Sequence, residues 1–370
     1  MTDNKSNLNL VLVVDSLAGG GAEKVVIELA RAIQQLGHNA ILVSLTKSAT
    51  YDIPADIPVF FVYQERKKAL HSAWQRQRHA QKMMATLDEI EKNEGVVHTI
   101  FSNLDYSHYI LSACNLPNVY YVIHNAINQT LQRARRMGPL KWWRQKRLFS
   151  ALEGKKLITV SDGLKNEVQN IALFKPAQVT RIYNPFNIAK IRQLAAEDNA
   201  QIPHSPYIIH VGRYAKQKRH DVLFTALKQL PEEIKLVCLG ANQKGINKLA
   251  EKMGVNDRII VPGFQQNPYP WIKQAKCLAL SSDFEGLSMV VAEALICQTP
   301  AVSTDCPFGP NELLTGKLND YLVPVADADA LAAALKKVIQ QPVPIDPSLL
   351  MHLDHLNIAQ QYVTISQHGR

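Results

Sequence analysis

No window of the chain reaches about eighteen uninterrupted apolar residues, so a membrane-spanning helix is not expected. The apolar run Leu8 to Val14 is too short to span, and Asp15 with the glycines after it reads as strand then turn, not as a signal peptide. An unprocessed, cytoplasmic chain is the expectation. Cysteine is sparse: Cys114, Cys238, Cys277, Cys297 and Cys306 are odd in number, and none forms a CxxC pair or lies in a histidine cluster. A disulfide framework and a zinc site are therefore both disfavoured. Internal repeats and low-complexity tracts are also missing. Acidic residues are in deficit, 32 against 41 Lys and Arg, which gives a formal charge of +9 and suggests an anionic partner.

That excess is uneven. Basic residues gather at Arg66-Lys67-Lys68, at Arg76, Arg78 and Lys82, and above all from Arg133 to Arg147. In the last stretch Arg133, Arg135, Arg136, Lys141, Arg144, Lys146 and Arg147 surround Trp142 and Trp143. Cations beside paired tryptophans suit an interfacial membrane contact, with aromatics at headgroup depth and basic side chains reaching phosphates. A solvated helix with its tryptophans packed inward is the alternative.

Hydrophobic periodicity alternates between short apolar runs and helical patterns. Leu8–Val14 reads as a buried strand, Ala22–Leu36 as a helix ended by Gly37, and Asn39–Leu45 as a second strand. Val59–Tyr63, a long helix near Ala69–Glu91, Thr99–Ser102, Val119–His124, a basic helix to about Leu152 and Leu157–Val160 follow. A looser stretch from about Ile188 to Pro206 reads as a connection, after which the pattern restarts with strands at Tyr207–Val211, Ile234–Leu239, Arg258–Val261, Cys277–Leu280, Pro300–Ser303 and Tyr321–Val323. Two tandem α/β domains with doubly wound parallel sheets are predicted, binding ligands beyond the carboxyl ends of their strands. The expected division is 1–187, a linker 188–206, 207–345, and a C-terminal helix in 346–370 that packs back toward the first domain.

Glu285 and Glu293 lie in the run Ser281-Ser282-Asp283-Phe284-Glu285-Gly286-Leu287-Ser288-Met289-Val290-Val291-Ala292-Glu293. The first is expected on a strand-to-helix loop and the second about two turns inside the helix. Carboxylates at these places can accept hydroxyl hydrogen bonds from a polyol, while the Gly286-Leu287-Ser288 amides at a helix N-terminus favour an anion. A nucleotide-sugar fits that combination; a capped amphipathic helix with a solvated Glu is the plain alternative. At the end of the first strand, the Gly19-Gly20-Gly21 turn opens a helix and can approach a phosphate. It fails the G-x-G-x-x-G dinucleotide spacing because Lys24 stands in the third place, and the second strand ends near Thr46-Lys47 without an acid for a ribose. In the second half, Arg213 and Lys218 follow a strand on one loop and can converge on a diphosphate, the Arg as a fork and the Lys as a point charge.

In this order the motifs resemble glycosyltransferase family 4, whose members have the GT-B fold: two Rossmann-like domains facing a central cleft. The resemblance rests on Gly20-Gly21-Ala22-Glu23, His124-Asn125, Ser161-Asp162-Gly163, Tyr183-Asn184-Pro185-Phe186, Gly212-Arg213 with Lys218, Pro262-Gly263-Phe264, Ser281 to Glu293, and Asp305 to Glu312. It implies a retaining, metal-independent transferase with a front-face mechanism and no cofactor beyond a UDP-sugar co-substrate. Arg213 and Lys218 would stabilise the leaving diphosphate, Glu293 would bind ribose hydroxyls, and Glu285 would position the donor sugar. Gly286, Leu287 and Ser288 would add amide contacts, Gly263 and Phe264 would lie near the base, and Gly20 and Gly21 would meet the donor from the first domain. His124 matches a family position near the reacting sugar. Two positions depart from the family pattern, Arg219 and Gln298, where glycines are often found.

At subfamily level the chain looks most like bacterial enzymes that extend surface glycans, which implies a lipid-linked or lipopolysaccharide-type acceptor. A peripheral location on the cytosolic face of the inner membrane is expected, held by the Arg133 to Arg147 region, with no nucleic-acid partner. Competing readings are a sugar-nucleotide epimerase of related fold, a glycogen-type polymerising transferase, and a non-enzymatic binder of anionic polymers.

Overall fold

The computed structural model describes residues 7–18, 20–47, 55–65 and 71–368; Gly19 and the run Arg66-Lys67-Lys68 fall outside these. The chain divides into two units. The first runs to Phe186 and resumes at Leu353, and the second spans Asn187–His352.

In the first unit the apolar runs form β1 (Asn9–Val14), β2 (Asn39–Thr46), β3 (Val59–Tyr63), β4 (Thr99–Asn103), β5 (Val119–Ile123), β6 (Lys156–Thr159) and β7 (Gln178–Arg181). All pair in parallel, in the order β3-β2-β1-β4-β5-β6-β7. Central strands of such a sheet are covered on both faces, which is why β1 and β5 read as unbroken apolar runs and are buried along their whole length. Val11 pairs with Ile41 on one side and Ile100 on the other, and these side chains join a core with Met83, Leu87, Ile110 and Phe149. The strand order reverses at the β1/β4 boundary, so a crevice opens there at the carboxyl edge.

The second unit repeats the plan with β8 (Tyr207–Val211), β9 (Lys235–Leu239), β10 (Ile259–Gly263), β11 (Leu278–Leu280), β12 (Ala301–Thr304) and β13 (Leu322–Val323), ordered β10-β9-β8-β11-β12-β13. Its reversal lies between β8 and β11.

Several boundaries differ from the sequence expectation. The long helix begins at Arg76 and ends at Glu94, where Gly95 takes φ +88. The basic stretch is two helices, Ile127–Arg136 and Pro139–Ser150: Gly138 at φ +114 turns the chain, and Pro139 opens the second helix, where its missing N–H costs nothing. The stretch from Ile188 is not a loose connection at its start; Ile188–Ala195 is a helix packed on Tyr269–Gln274 and Met289–Ile296 in the second unit. The chain returns to the first unit at Leu353, where Phe186 N donates to Leu353 O at 3.0 Å and His355 N to Phe186 O at 3.0 Å. Helix His355–His368 then packs on helix Gly21–Gln35, with Tyr362 edge-on to Phe101 at 4.8 Å.

Candidate functional site

The loops after β8 and β11, which flank the reversal in the second unit, are bonded to each other. Lys218, in a short 3-10 turn after β8, places its Nζ 2.8 Å from Glu285 Oε1, and both side chains are largely shielded from solvent. Ser281 Oγ, just past β11, donates to the Lys218 carbonyl at 2.7 Å, and Asp283 N donates to Gln217 O at 2.8 Å. An ammonium has three protons to donate, so the bond to Glu285 fixes Lys218 and leaves two for a ligand. Gly212 makes room for this lysine: a Cβ there would meet Lys218 Cε at 3.3 Å. Arg213 on the same loop is exposed and has no ion-pair partner among the described residues.

Helix Met289–Ile296 follows. Ser288 is its N-cap residue but makes no side-chain cap bond, and its hydroxyl is buried without a partner. The amides opening this helix are therefore not capped by their own N-cap side chain, the arrangement that favours an anion. Glu293 stands a little more than one turn inside, not two, because the helix starts at Met289. It is 4% exposed and accepts from Tyr269 Oη at 3.4 Å. Gly286, Leu287 and Ser288 are buried as well.

Gly309 fixes this turn from above. At φ +92, a Cβ on it would meet Ser288 N at 2.8 Å, Gly286 O at 2.9 Å and Leu287 Cα at 3.0 Å. Every one of those atoms is backbone, so only glycine lets the loop after β12 lie against the 286–288 turn. Gly263, at φ +81, ends β10, and Phe264 after it is 65% exposed at the same carboxyl edge, two strands from β8.

The two departures from the family pattern keep a glycine-like backbone. Arg219 sits at φ +47 and Gln298 at φ +62, both left-handed. Each carries a conformational cost of roughly 1–2 kcal/mol relative to glycine. Arg219 offsets it with a fork on Asp221 (2.9 and 3.0 Å) and a bond to Asp283 at 3.0 Å. Beneath Lys218, His210 and His220 stack edge to face at 4.7 Å; burial and the lysine hold both below the usual histidine range, His220 at about 4, and His220 lowers His210 further.

At the carboxyl edge of the first unit, His124 follows β5. Its Nε2 lies 2.9 Å from Asn103 Oδ1, while Asn103 Nδ2 donates to Val13 O and Phe101 O. That orientation makes Nε2 the protonated nitrogen and leaves Nδ1 as an acceptor, and burial lowers the ring to about 4, so it is neutral near pH 7. Asp15, past β1, accepts from Ser107 N (2.7 Å), Ser107 Oγ (2.6 Å) and Tyr106 N (3.2 Å). Burial nevertheless pushes its carboxyl up to about 7. Asp15 and Asn103 were not singled out from sequence, because their roles depend on partners about 20 to 90 residues away.

Gly20 and Gly21 open helix Gly21–Gln35 as expected, but neither has positive φ. Gly21 faces open space, and a Cβ on Gly20 would meet only the Glu23 carboxylate at 2.4 Å. Ser161 and Asp162 serve locally: Ser161 Oγ caps Leu164 N at 3.2 Å, and Asp162 pairs with Arg181 at 3.2 Å. An Asp-x-Asp triplet, Asp327-Ala328-Asp329, is spent on structure; Asp327 caps Ala330 N at 2.9 Å and Asp329 accepts from Gln229 at 2.6 Å.

In the basic helical pair, Arg133, Arg135, Arg136 and Lys141 are exposed, as are Met137, Leu140 and Trp143 at 51, 85 and 64%. Trp142 is half-buried, edge-on to Trp143 at 5.7 Å, with Lys146 Nζ over it at 5.0 Å. The two tryptophans are thus not equivalent: one packs and one projects. No helix among the described residues is long and apolar enough to cross a membrane.

Residues 19–190 match the family model for Glycosyltransferase Family 4, and residues 192–350 match that for Glycosyl transferases group 1. Among curated proteins, the chain is 27% identical over 353 residues to the N-acetylgalactosamine-N,N'-diacetylbacillosaminyl-diphospho-undecaprenol 4-alpha-N-acetylgalactosaminyltransferase of Campylobacter jejuni, covering 90% of each chain. It is 28% identical over 199 residues to the lipopolysaccharide 1,6-galactosyltransferase of Escherichia coli K12, covering 51% of this chain and 54% of that one. The structure of Anabaena HepE in complex with UDP and glucose superposes with a TM-score of 0.74 over 97% of this chain and 99% of that one, at 17% identity. The chain belongs to the group 1 and family 4 glycosyltransferases, with the two-sheet GT-B fold.

Proposed function

We propose that the protein transfers a hexose or N-acetylhexosamine from a UDP-sugar to a lipid-linked or lipopolysaccharide-type glycan, with retention of configuration and without a metal ion. The carrying observation is the β8/β11 reversal, where a fixed ammonium, an exposed guanidinium and an N-terminal turn not capped by its own serine belong to two joined loops, and a buried carboxylate lies in the helix that the second loop opens. Arg213 and Lys218 stabilise the charge that develops on the departing diphosphate. Glu293 accepts from the ribose hydroxyls, Glu285 orients both Lys218 and the sugar, and Phe264 offers a ring face to the base. The acceptor oxygen bonds to the anomeric carbon on the face from which the phosphate oxygen leaves, and that phosphate takes the acceptor's proton. His124 Nδ1 accepts a hydrogen bond beside the reacting sugar.

The donor class is supported by HepE, a structural neighbour bound to UDP, and the acceptor class by the printed activities of the Campylobacter and Escherichia relatives. The exposed basic and apolar face around Trp143 supports a peripheral place on the cytosolic side of the inner membrane. Incubation of the enzyme with single UDP-sugars and lipid-linked glycans, with a chelator present, tests the reading. UDP release that needs the acceptor and yields an anomer matching the donor is the expected result. A new sugar epimer formed without acceptor would instead identify an epimerase.

A further inference from the structure

The basic helical pair has a second, inward face. Arg144 Cζ lies 5.5 Å from the Tyr106 ring centroid, and its Nη2 contacts the Tyr106 hydroxyl. Arg147 lies over Tyr109 at 5.7 Å and donates to the His71 carbonyl. From another element, Arg76 lies over the same Tyr109 ring at 4.4 Å, with bonds to Tyr109 O at 3.0 Å and Ser112 Oγ at 2.7 Å. Three guanidiniums thus gather on two tyrosines one helical turn apart. Among the described residues none has a carboxylate within ion-pair distance.

Such a gathering is costly without an anion. Arg144 and Arg147 face the same aromatic pair, and each lowers the proton affinity of His71. Asp105 favours the charged Arg144 but accepts its hydrogen bond from Gln145, at 2.7 Å, and closes no ion pair with an arginine. Each guanidinium has five N–H donors, more than these bonds use, and a planar fork suits a multivalent oxyanion. Location adds the second argument. Tyr106 N bonds to Asp15 at the end of β1, so the cluster borders the β1/β4 reversal, where a sheet of this order receives its ligand.

We infer that Arg76, Arg144 and Arg147 form the binding site for a phosphate or diphosphate carried by the acceptor, while the outward face with Arg133, Arg135, Arg136, Lys141 and Trp143 meets the lipid surface. This inference rests on the reading of the first unit as the acceptor-binding unit. One helical segment then does two jobs with two faces, and the acceptor's phosphate, not its sugar alone, sets the register of the glycan.

The test uses the full chain carrying Arg213→Ala and Lys218→Ala, which removes the second unit's own phosphate-directed cations. Inorganic pyrophosphate is titrated by calorimetry, and co-sedimentation is measured with phosphatidylglycerol vesicles. Adding Arg144→Gln and Arg147→Gln is expected to weaken pyrophosphate at least tenfold and leave vesicle binding unchanged. Adding Arg133→Glu, Arg135→Glu, Arg136→Glu and Lys141→Glu is expected to do the reverse. Unchanged pyrophosphate affinity in the inward variant, or vesicle loss equal to that of the outward one, overturns the inference. If the double substitution unfolds the protein, Arg147→Gln alone, at an exposed position, carries the same expectation at about threefold, and no change there is equally fatal. Transfer assays with the inward pair substituted in an otherwise unaltered chain separate the two readings. Transfer to a diphosphate-linked glycan with unaltered KM sinks the site and spares the function, whereas pyrophosphate binding without any transfer does the opposite.

Discussion

Replacing Gly309 with alanine should damage the proposed donor site through backbone alone. The new Cβ would meet Ser288 N at 2.8 Å, where ordinary contact begins near 3.4 Å, so the 286–288 turn or the loop after β12 must move by roughly 0.6 Å. Two costs add. The φ of +92 is strained for an L-residue by about 1–2 kcal/mol, and overpacking against rigid backbone adds about 1–3 kcal/mol. A total near 3 kcal/mol corresponds to a fall in Tm of roughly 6–12 °C for a unit of this size. Gly254→Ala is the matched control, because Gly254 has φ +65 but nothing within 4 Å of its Cβ position. It should lose only the strain, about 1 kcal/mol, or roughly 2–4 °C. UDP binding separates the variants further: the displaced turn carries the Ser288 hydroxyl and the helix N-terminus, so Gly309→Ala should weaken UDP about tenfold or more and Gly254→Ala should not. Equal Tm losses, with UDP affinity unchanged in both, would refute the steric argument.

Gln298→Gly should raise Tm by a few degrees, since it relieves about 1 kcal/mol of left-handed strain at an exposed side chain; a lower Tm in a melting scan would mean that the Gln298 bond to Leu295 O at 3.3 Å outweighs it. Glu285→Gln should cut kcat by about a hundredfold in a transfer assay, because the proposed effect of its pair with Lys218 is to place a charge that acts in the transition state. Unaltered kcat would remove Glu285 from the mechanism. His124 is held at about 4 against 6.5 when unfolded, so it favours folding fully above pH 6.5 and loses that contribution as pH falls toward 4. His124→Gln should therefore flatten the decline of Tm between pH 6.5 and 4, and an unchanged slope would contradict the burial argument. Asp15 runs the other way. Raised to about 7, it favours folding below about pH 4 and loses that contribution as pH climbs to 7, so Asp15→Asn should stabilise the protein at pH 8.

The parts of this architecture that were legible in the sequence are those set by local pattern. Strands buried on both faces, such as β1 and β5, appear as apolar runs followed by a polar residue, β8 as one interrupted by the buried His210, and the loops after them hold the motif residues. β7 was missed because Gln178–Arg181 is a half-exposed edge strand with no apolar run. The Gly138-Pro139 break carried a clear local signal, a glycine followed by the residue favoured at a helix start, but the continuous positive charge masked it. Long-range geometry was hidden altogether. Composition could not divide the Arg133 to Arg147 charges into an outward and an inward face, because that depends on Tyr106 and Tyr109 arriving from another helix. Nor could it disclose that Arg219 and Gln298 would adopt the backbone of the glycines they replace.

The most direct test of the donor site is the protection of the chain against thermal unfolding by a panel of UDP-, GDP- and ADP-sugars, in the wild type and in Glu293→Ala and Arg213→Ala. A UDP-sugar should raise the wild-type Tm by several degrees at a hundredfold excess over Kd, about 2.7 kcal/mol of linkage, and both variants should respond far less at the same concentration. A wild type that no nucleotide-sugar stabilises, or variants that respond as the wild type does, would contradict the proposed donor site.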